Sequence, residues 1–132
     1  YARRQWSLVD EPLLRYQQLD AWDKVMIKLA TDYKLLASPP AVQLHLDPDK
    51  KILAYERTGL IFIFSFNPTE SFFGFPIYVP KPGNYQIILD SDEKRYGGFE
   101  RLDPSISYPT DDSQHLLLYI PNRVVIVLEL KK

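Results

Sequence analysis

Up to about Leu36 the apolar residues fall at helical spacing, and beyond residue 40 they alternate with polar ones. Leu19, Trp22, Met26, Leu29, Tyr33 and Leu36 advance by threes and fours, which places them on one face of a helix. Asp20 is the expected N-cap of that helix, with Asp23 in the capping-box position. A shorter helical turn is expected before it, capped by Asp10 or Glu11, with Pro12 in the first turn, where a missing N–H costs nothing. Lys24, Lys28 and Asp32 mark the solvated face. Trp6 and the pair Leu13 and Leu14 lie off the stripe and need some other surface to pack on. Ser38, Pro39 and Pro40 close the helical zone, because each proline pushes its predecessor toward extended geometry.

The remaining periodic segments read as strands. They are expected at residues 42–46, 52–57, 60–66, 75–79, 85–89, 115–120 and 124–130, rich in β-branched and aromatic side chains and punctuated by Pro, Gly, Asn and Asp. Thr58-Gly59 predicts a tight hairpin, and Lys81-Pro-Gly-Asn84 a second one. Short antiparallel strands in this number indicate a β-sandwich. The fold class is therefore mainly β, with residues 1–38 as a helical segment and 39–132 as the sandwich. Residues 90–114, with Gly97-Gly98, Pro104 and Pro109, are expected to form a folded excursion rather than a strand pair. Phe62, Phe64 and Phe66 alternate and are assigned to the core face.

Composition narrows the function classes. With 16 basic and 17 acidic residues in 132, the net charge is -1, which gives no electrostatic footprint for nucleic acid or an anionic membrane. The longest purely apolar runs are about five residues, against the ~20 needed to span a bilayer. Without cysteine there is no disulfide scaffold, thiol nucleophile or zinc-thiolate site, which is compatible with a cytoplasmic protein. The chain opens on Tyr-Ala-Arg-Arg-Gln-Trp rather than Met and reads as a piece of something longer.

Few residues suggest chemistry. His45 and His115 each sit in a predicted strand without a neighbour at metal-ligand spacing. Asp47-Pro48-Asp49 and Asp90-Ser91-Asp92-Glu93 begin like calcium loops, but Lys94 and Arg95 stand where a ligand and the obligatory glycine belong. A pair of glycosidase carboxylates could come from Asp90, Asp92, Glu100 or Asp103, and nothing in the sequence fixes their separation. No serine lies in a nucleophile elbow, and Gly97-Gly98 lacks the Lys-Ser/Thr of a phosphate cradle. The expectation is no catalytic residue, no cofactor and no metal. Phe72, Phe73, Phe75 and Tyr78 surround Gly74 and Pro76, where burial is less assured. Phe72, Phe73 and Tyr78 are the candidates for stacking on sugar rings; the plainer reading is a loop packed on a neighbouring domain.

The strings Leu89-Asp-Ser-Asp92, Tyr96-Gly-Gly98 and Arg101-Leu-Asp103 resemble the L-D-S-D-x-x-x-[FY]-G-G-x-x-R-L-D signature of the C-terminal domain of 1,4-α-glucan (glycogen or starch) branching enzymes. Tyr1-Ala-Arg-Arg-Gln-Trp6, Ala54-Tyr-Glu-Arg57, Phe62-Ile-Phe-Ser-Phe-Asn-Pro68, Pro82-Gly83 with Tyr85, and Tyr119-Ile-Pro-Asn-Arg123 are similar in the same order. Two departures are Phe99, where the family commonly has His, and Phe75-Pro-Ile-Tyr78 in place of a Tyr-Arg-Val/Ile-Gly stretch. The resemblance implies that residues 1–36 end a catalytic (β/α)₈ barrel and the rest is the all-β C-terminal domain. It implies a transglycosylase that cleaves α-1,4 and forms α-1,6 linkages by a retaining mechanism, with its Asp nucleophile and Glu acid/base in the barrel upstream. This chain would then be a non-catalytic part, with the barrel of the same polypeptide and α-glucan as its partners. Asp90, Asp92, Gly97, Gly98, Arg101 and Asp103 would be a structural loop built by turn chemistry. The alternatives are a stand-alone α-glucan-binding module or an interaction domain unrelated to carbohydrate.

Overall fold

A computed structural model describes the backbone of residues 2–37 and 40–131, and the side chains from residue 17 onward except residue 36. Helix α1 spans Ala2–Asp32 and is followed by a 3₁₀ turn at Leu35–Ala37. Eight strands come next: β1 Val42–Asp47, β2 Ile52–Arg57, β3 Leu60–Ser65, β4 Phe72–Tyr78, β5 Asn84–Asp90, β6 Ser107–Pro109, β7 His115–Ile120 and β8 Val124–Leu130. Six of them form an antiparallel sheet in the order β1-β2-β3-β8-β5-β6, and β4 pairs with β7 in a second, two-stranded sheet. The expected antiparallel sandwich is present.

The sandwich core lies between the two sheets. Ile61 and Ile63 of β3, Ile126 and Leu128 of β8 and Ile87 of β5 face Ile77, Leu116, Leu118 and Ile120 across it, all essentially without solvent contact. Burying a side chain of this size contributes about 1.5–3 kcal/mol. The alternate residues of β3 and β8 are buried or half-buried on the other face. Leu60, Phe62 and Val127, with Leu89, pack under Trp22, Val25, Met26, Leu29 and Tyr33 of the helical segment. The two central strands are thus covered on both faces, which is why each is a continuous apolar run.

Four expectations change. The helix is one element rather than two, and Asp20 lies inside it, its carboxylate 3.0 Å from Lys24 one turn on. A glycine-free segment propagates as helix through Pro12 and past Asp20, because each added turn costs less than a new nucleus. Within the stripe Trp22, Met26, Leu29 and Tyr33 pack as expected, whereas Leu19 is exposed. Leu36, Trp6, Leu13 and Leu14 lie outside the described side chains, and Ser38 and Pro39 outside the described residues. Second, Lys81-Pro-Gly-Asn84 is no hairpin: β4 belongs to the small sheet and β5 to the large one, so the segment carries the chain across the sandwich. Thr58-Gly59 does close the β2–β3 hairpin, with φ of 50° and 84°. Third, the 90–114 excursion contains the short β6, paired with β5.

The fourth change concerns Phe62, Phe64 and Phe66. They share a face, but it is the helix side of the large sheet and not the sandwich core. Tyr55 stacks between Phe62 and Phe64, at 5.1 Å and 5.6 Å, and Phe64 stacks on Phe66 at 6.0 Å. This aromatic ladder runs from buried Phe62 to Phe66, which is 62% exposed. Ile61 and Ile63, the alternate residues, take the sandwich core because the second sheet covers that face completely.

Candidate functional site

The loop after β5 is built around one buried ion pair. The Asp92 side chain is 2% exposed, and each of its carboxylate oxygens accepts two hydrogen bonds. Oδ1 takes the backbone N–H of Phe99 at 3.2 Å and Arg101 Nη2 at 2.9 Å. Oδ2 takes the Arg101 backbone N–H at 2.7 Å and its Nε at 3.0 Å. Burial pushes this carboxyl up, but the Arg101 and backbone donors outweigh it and hold it below the ordinary carboxylate range. The remaining Arg101 donors reach Asn122, with Nη1 at 2.5 Å from Oδ1 and Nη2 at 3.2 Å from the carbonyl.

Asn122 extends the tie to a third loop. Its side-chain amide donates to the Pro68 carbonyl at 3.0 Å, and its backbone N–H to Ser71 Oγ at 3.0 Å. Asn67, just before, accepts the backbone N–H groups of Thr69 and Glu70 and so folds that turn. Three segments distant in sequence, near residues 67–71, 92–101 and 122, are therefore locked into one end of the sandwich.

The two glycines have separate reasons. Gly97 adopts φ of 85° and sits against Gln18 of α1. A Cβ on Gly98 would lie 2.2 Å from the Asp92 carbonyl, so the chain passes too close for any side chain. Asp90 is buried but does not pair with Arg101; its Oδ1 accepts the Asp92 N–H at 3.0 Å. Burial and then the nearby charge of Glu93 push the Asp90 carboxyl up to about 6. Asp103 is apart from this network and caps its own turn through Ser105, which holds it below the usual range. Glu100 is exposed. Of the four carboxylates compared with a glycosidase pair, Asp92 is saturated by donors and Asp90 is enclosed beneath the loop.

Other candidates lie elsewhere. Among the described residues no group of three His, Asp or Glu stands together to hold a metal. His45 packs edge-on against Phe75, and His115 lies 3.9 Å from Asp111 and beside Tyr78. A cleft of about 400 Å³ opens between the end of α1 and the β2–β3 hairpin, lined by Tyr33, Glu56, Lys81, Tyr85 and Glu129. There the Tyr33 hydroxyl donates to Glu129, whose hydrogen bond, followed by burial, pushes the phenol up to about 12.

The loop aromatics divide. Phe75 is buried in the core and Phe72 is half-buried against it. Phe73 and Tyr78 point outward, on the outer face of the small sheet. Tyr119 of β7 joins them, stacked on Phe73 at 4.4 Å. Phe99 is also exposed and lies over the Arg101 guanidinium at 5.1 Å. Tyr119, Ser71 and Asn122 were not singled out from the sequence. The Pro121-Asn122 turn was visible within a similar segment, but a turn asparagine reads as local chemistry until its distant partners are known.

The six-stranded antiparallel sheet and the β4–β7 pair, preceded by one helix, define an all-β sandwich domain. The chain belongs to the family described as the alpha amylase, C-terminal all-beta domain, whose model matches residues 44–131. It is 42% identical over 134 residues to a 1,4-alpha-glucan-branching enzyme of Rhizophagus irregularis, covering 97% of this chain and 20% of that protein. It is 41% identical over 135 residues to that of Felis catus, covering 98% of this chain and 19% of that protein. The enzyme of the same name from Saccharomyces cerevisiae is 42% identical over 139 residues, 100% of this chain and 20% of that protein. The resemblance read from the residues is borne out. The chain spans about a fifth of the length of the curated relatives it matches. No described helix is long and apolar enough to cross a membrane.

Proposed function

We propose that this chain is the non-catalytic C-terminal part of a 1,4-α-glucan branching enzyme, bracing a catalytic barrel that lies in the same polypeptide. The observation that carries the reading is the convergence of the similar segments. Phe62 to Pro68, Asp90 to Asp103 and Tyr119 to Arg123 are separate in sequence yet meet in the Asp92–Arg101–Asn122 network. The parent would move an α-1,4-linked oligosaccharide onto an α-1,6 position by a retaining mechanism, with its carboxylates outside this chain. The cytoplasmic placement expected from the sequence goes with that reading.

Residues 1–38 would belong to the end of the barrel and 39–132 to the domain that braces it. The bracing surface is the helix side of the large sheet. α1 covers Leu60, Phe62 and Val127 there, and the aromatic ladder continues outward to exposed Phe66. An apolar ladder that starts in a packed interface and ends in solvent marks a contact left unfilled.

The test is the full-length polypeptide carrying this sequence, assayed on amylose by the change in iodine absorption. Branching by wild type is expected. Phe66→Asp should lower the thermal midpoint of that protein by several degrees, since a charge would enter an apolar contact. Absence of branching would overturn the enzymatic reading, and an unchanged midpoint would overturn the bracing surface.

A further inference from the structure

Among the described residues the two most exposed large apolar side chains are Phe73, at 81%, and Phe99, at 78%. Each is nevertheless held on one ring face. Phe73 lies nearly parallel to Tyr119, at 4.4 Å and 16°. Phe99 lies over the guanidinium of Arg101 at 5.1 Å. In both cases the opposite ring face is left to solvent.

The backbone is built to present them. The β4–β7 pairing slips between Phe72 and Phe75, and Gly74 within this bulge has φ of 61°. A bulge re-aims the side chain beside it, and here it turns Phe73 outward while Phe72 and Phe75 pack toward the core. Arg101 is fixed by Asp92 and Asn122, so Phe99 rests on a cation that cannot swing away. The Tyr119 phenol is within electrostatic reach of the same guanidinium. Ser71, two residues before Phe73, bonds Asn122 as well. The two rings therefore stand on one hydrogen-bonded scaffold at the end of the sandwich.

We propose that Phe73 and Phe99 form a two-ring platform that binds a neutral α-glucan chain by stacking on the CH faces of its sugars. This rests on the branching-enzyme reading for the identity of the polymer and adds a glucan subsite remote from any catalytic carboxylate. Charge and area select the occupant. Arg101, against the Phe99 ring, and Asp92 neutralise each other, and the exposed Glu100 next to Phe99 in the chain disfavours an anionic polymer. Two phenylalanine rings offer at most about 500 Å², short of the ~800 Å² per partner of a stable protein interface. An amphipathic neutral chain needs only flat apolar faces, and the two rings offer those.

The experiment is affinity electrophoresis of the full-length protein in gels containing glycogen, alongside iodine-based branching activity. Phe73→Ala and Phe99→Ala should each weaken apparent glycogen affinity about threefold to tenfold, the loss of one ring-face contact. The double variant should lose more, and Phe73→Trp should retain binding where the equally apolar Phe73→Leu does not. Thermal midpoints should stay within a few degrees, because both rings are solvent-exposed. If wild type branches amylose but the double variant migrates in glycogen as wild type does, the platform is refuted and the branching reading stands. If wild type shows no branching yet the variants lose retardation, the branching reading fails and the platform survives. A change of oligomeric state in the double variant by sedimentation, without a glycogen effect, would assign the rings to a second copy and also refute it.

Discussion

Arg101→Ala removes the centre of the loop network. Four side-chain hydrogen bonds disappear, two to Asp92 and two to Asn122. The Asp92 carboxylate, 2% exposed, keeps only the backbone N–H groups of Phe99 and of residue 101. Removing one partner of a buried ion pair costs about 3–5 kcal/mol. The Arg101 side chain is 26% exposed, so water reaches part of the vacated space and the lower end applies, about 3 kcal/mol. For a chain of this length that lowers the thermal midpoint by roughly 10 °C.

Urea denaturation of the 132-residue chain, followed by tryptophan fluorescence, measures this directly. Trp22 lies edge-on to Tyr96 in the same loop, at 5.0 Å, and reports its loosening. The pH dependence supplies a second check. Asp92 is held below its unfolded pKa, so its contribution is complete above the ordinary carboxylate range and lost as pH falls through the folded value. The gap between wild type and Arg101→Ala should therefore shrink below about pH 4. Adding Asp92→Asn to the alanine variant should recover part of the loss, since the stranded charge is then gone. A gap under about 1 kcal/mol at pH 7, or one that does not change with pH, would refute the assignment of a buried, net-stabilising pair.

Two further substitutions probe the same loop. Gly98→Ala should destabilise the chain by about 3 kcal/mol or more, because its Cβ would meet the Asp92 backbone at 2.2 Å and one strand of the loop must move; a midpoint in urea within experimental error of wild type would show that the approach is not tight. Asp90 has its pKa raised from 3.8 to about 6, so the folded state holds the proton more firmly and native stability falls as pH rises between those values. Asp90→Asn removes a penalty of order 3 kcal/mol at pH 7 and almost none at pH 4. Unfolding in urea at the two pH values checks this, and a variant with the wild-type pH slope would place the titration elsewhere.

Much of the β architecture was legible because it is local. β2, β7 and β8 occupy the spans expected from their β-branched and aromatic alternation, and Thr58-Gly59 supplies the positive φ that the hairpin between β2 and β3 requires. The 92–101 loop was legible for a similar reason: two glycines, clustered carboxylates and two arginines within about a dozen residues describe a self-bonded turn. The network's third member was not. Asn122 is twenty-one residues from Arg101 and over fifty from Pro68, and its role exists only where the sandwich brings those loops together.

What the sequence determined by itself is periodicity, and with it which residues share a face: Phe62, Phe64 and Phe66 do lie together, as do Trp22, Met26, Leu29 and Tyr33. What only the tertiary structure decided is what covers each face. A two-residue period leaves both faces of β3 eligible for burial, and the small sheet took Ile61 and Ile63 while the helix took Phe62. In the same way Lys81 to Asn84 has the composition of a hairpin, yet β4 pairs with β7 across a long stretch of chain because that closes the core. Pairing between distant strands is set by the total apolar surface it removes from water. No local pattern encodes that quantity.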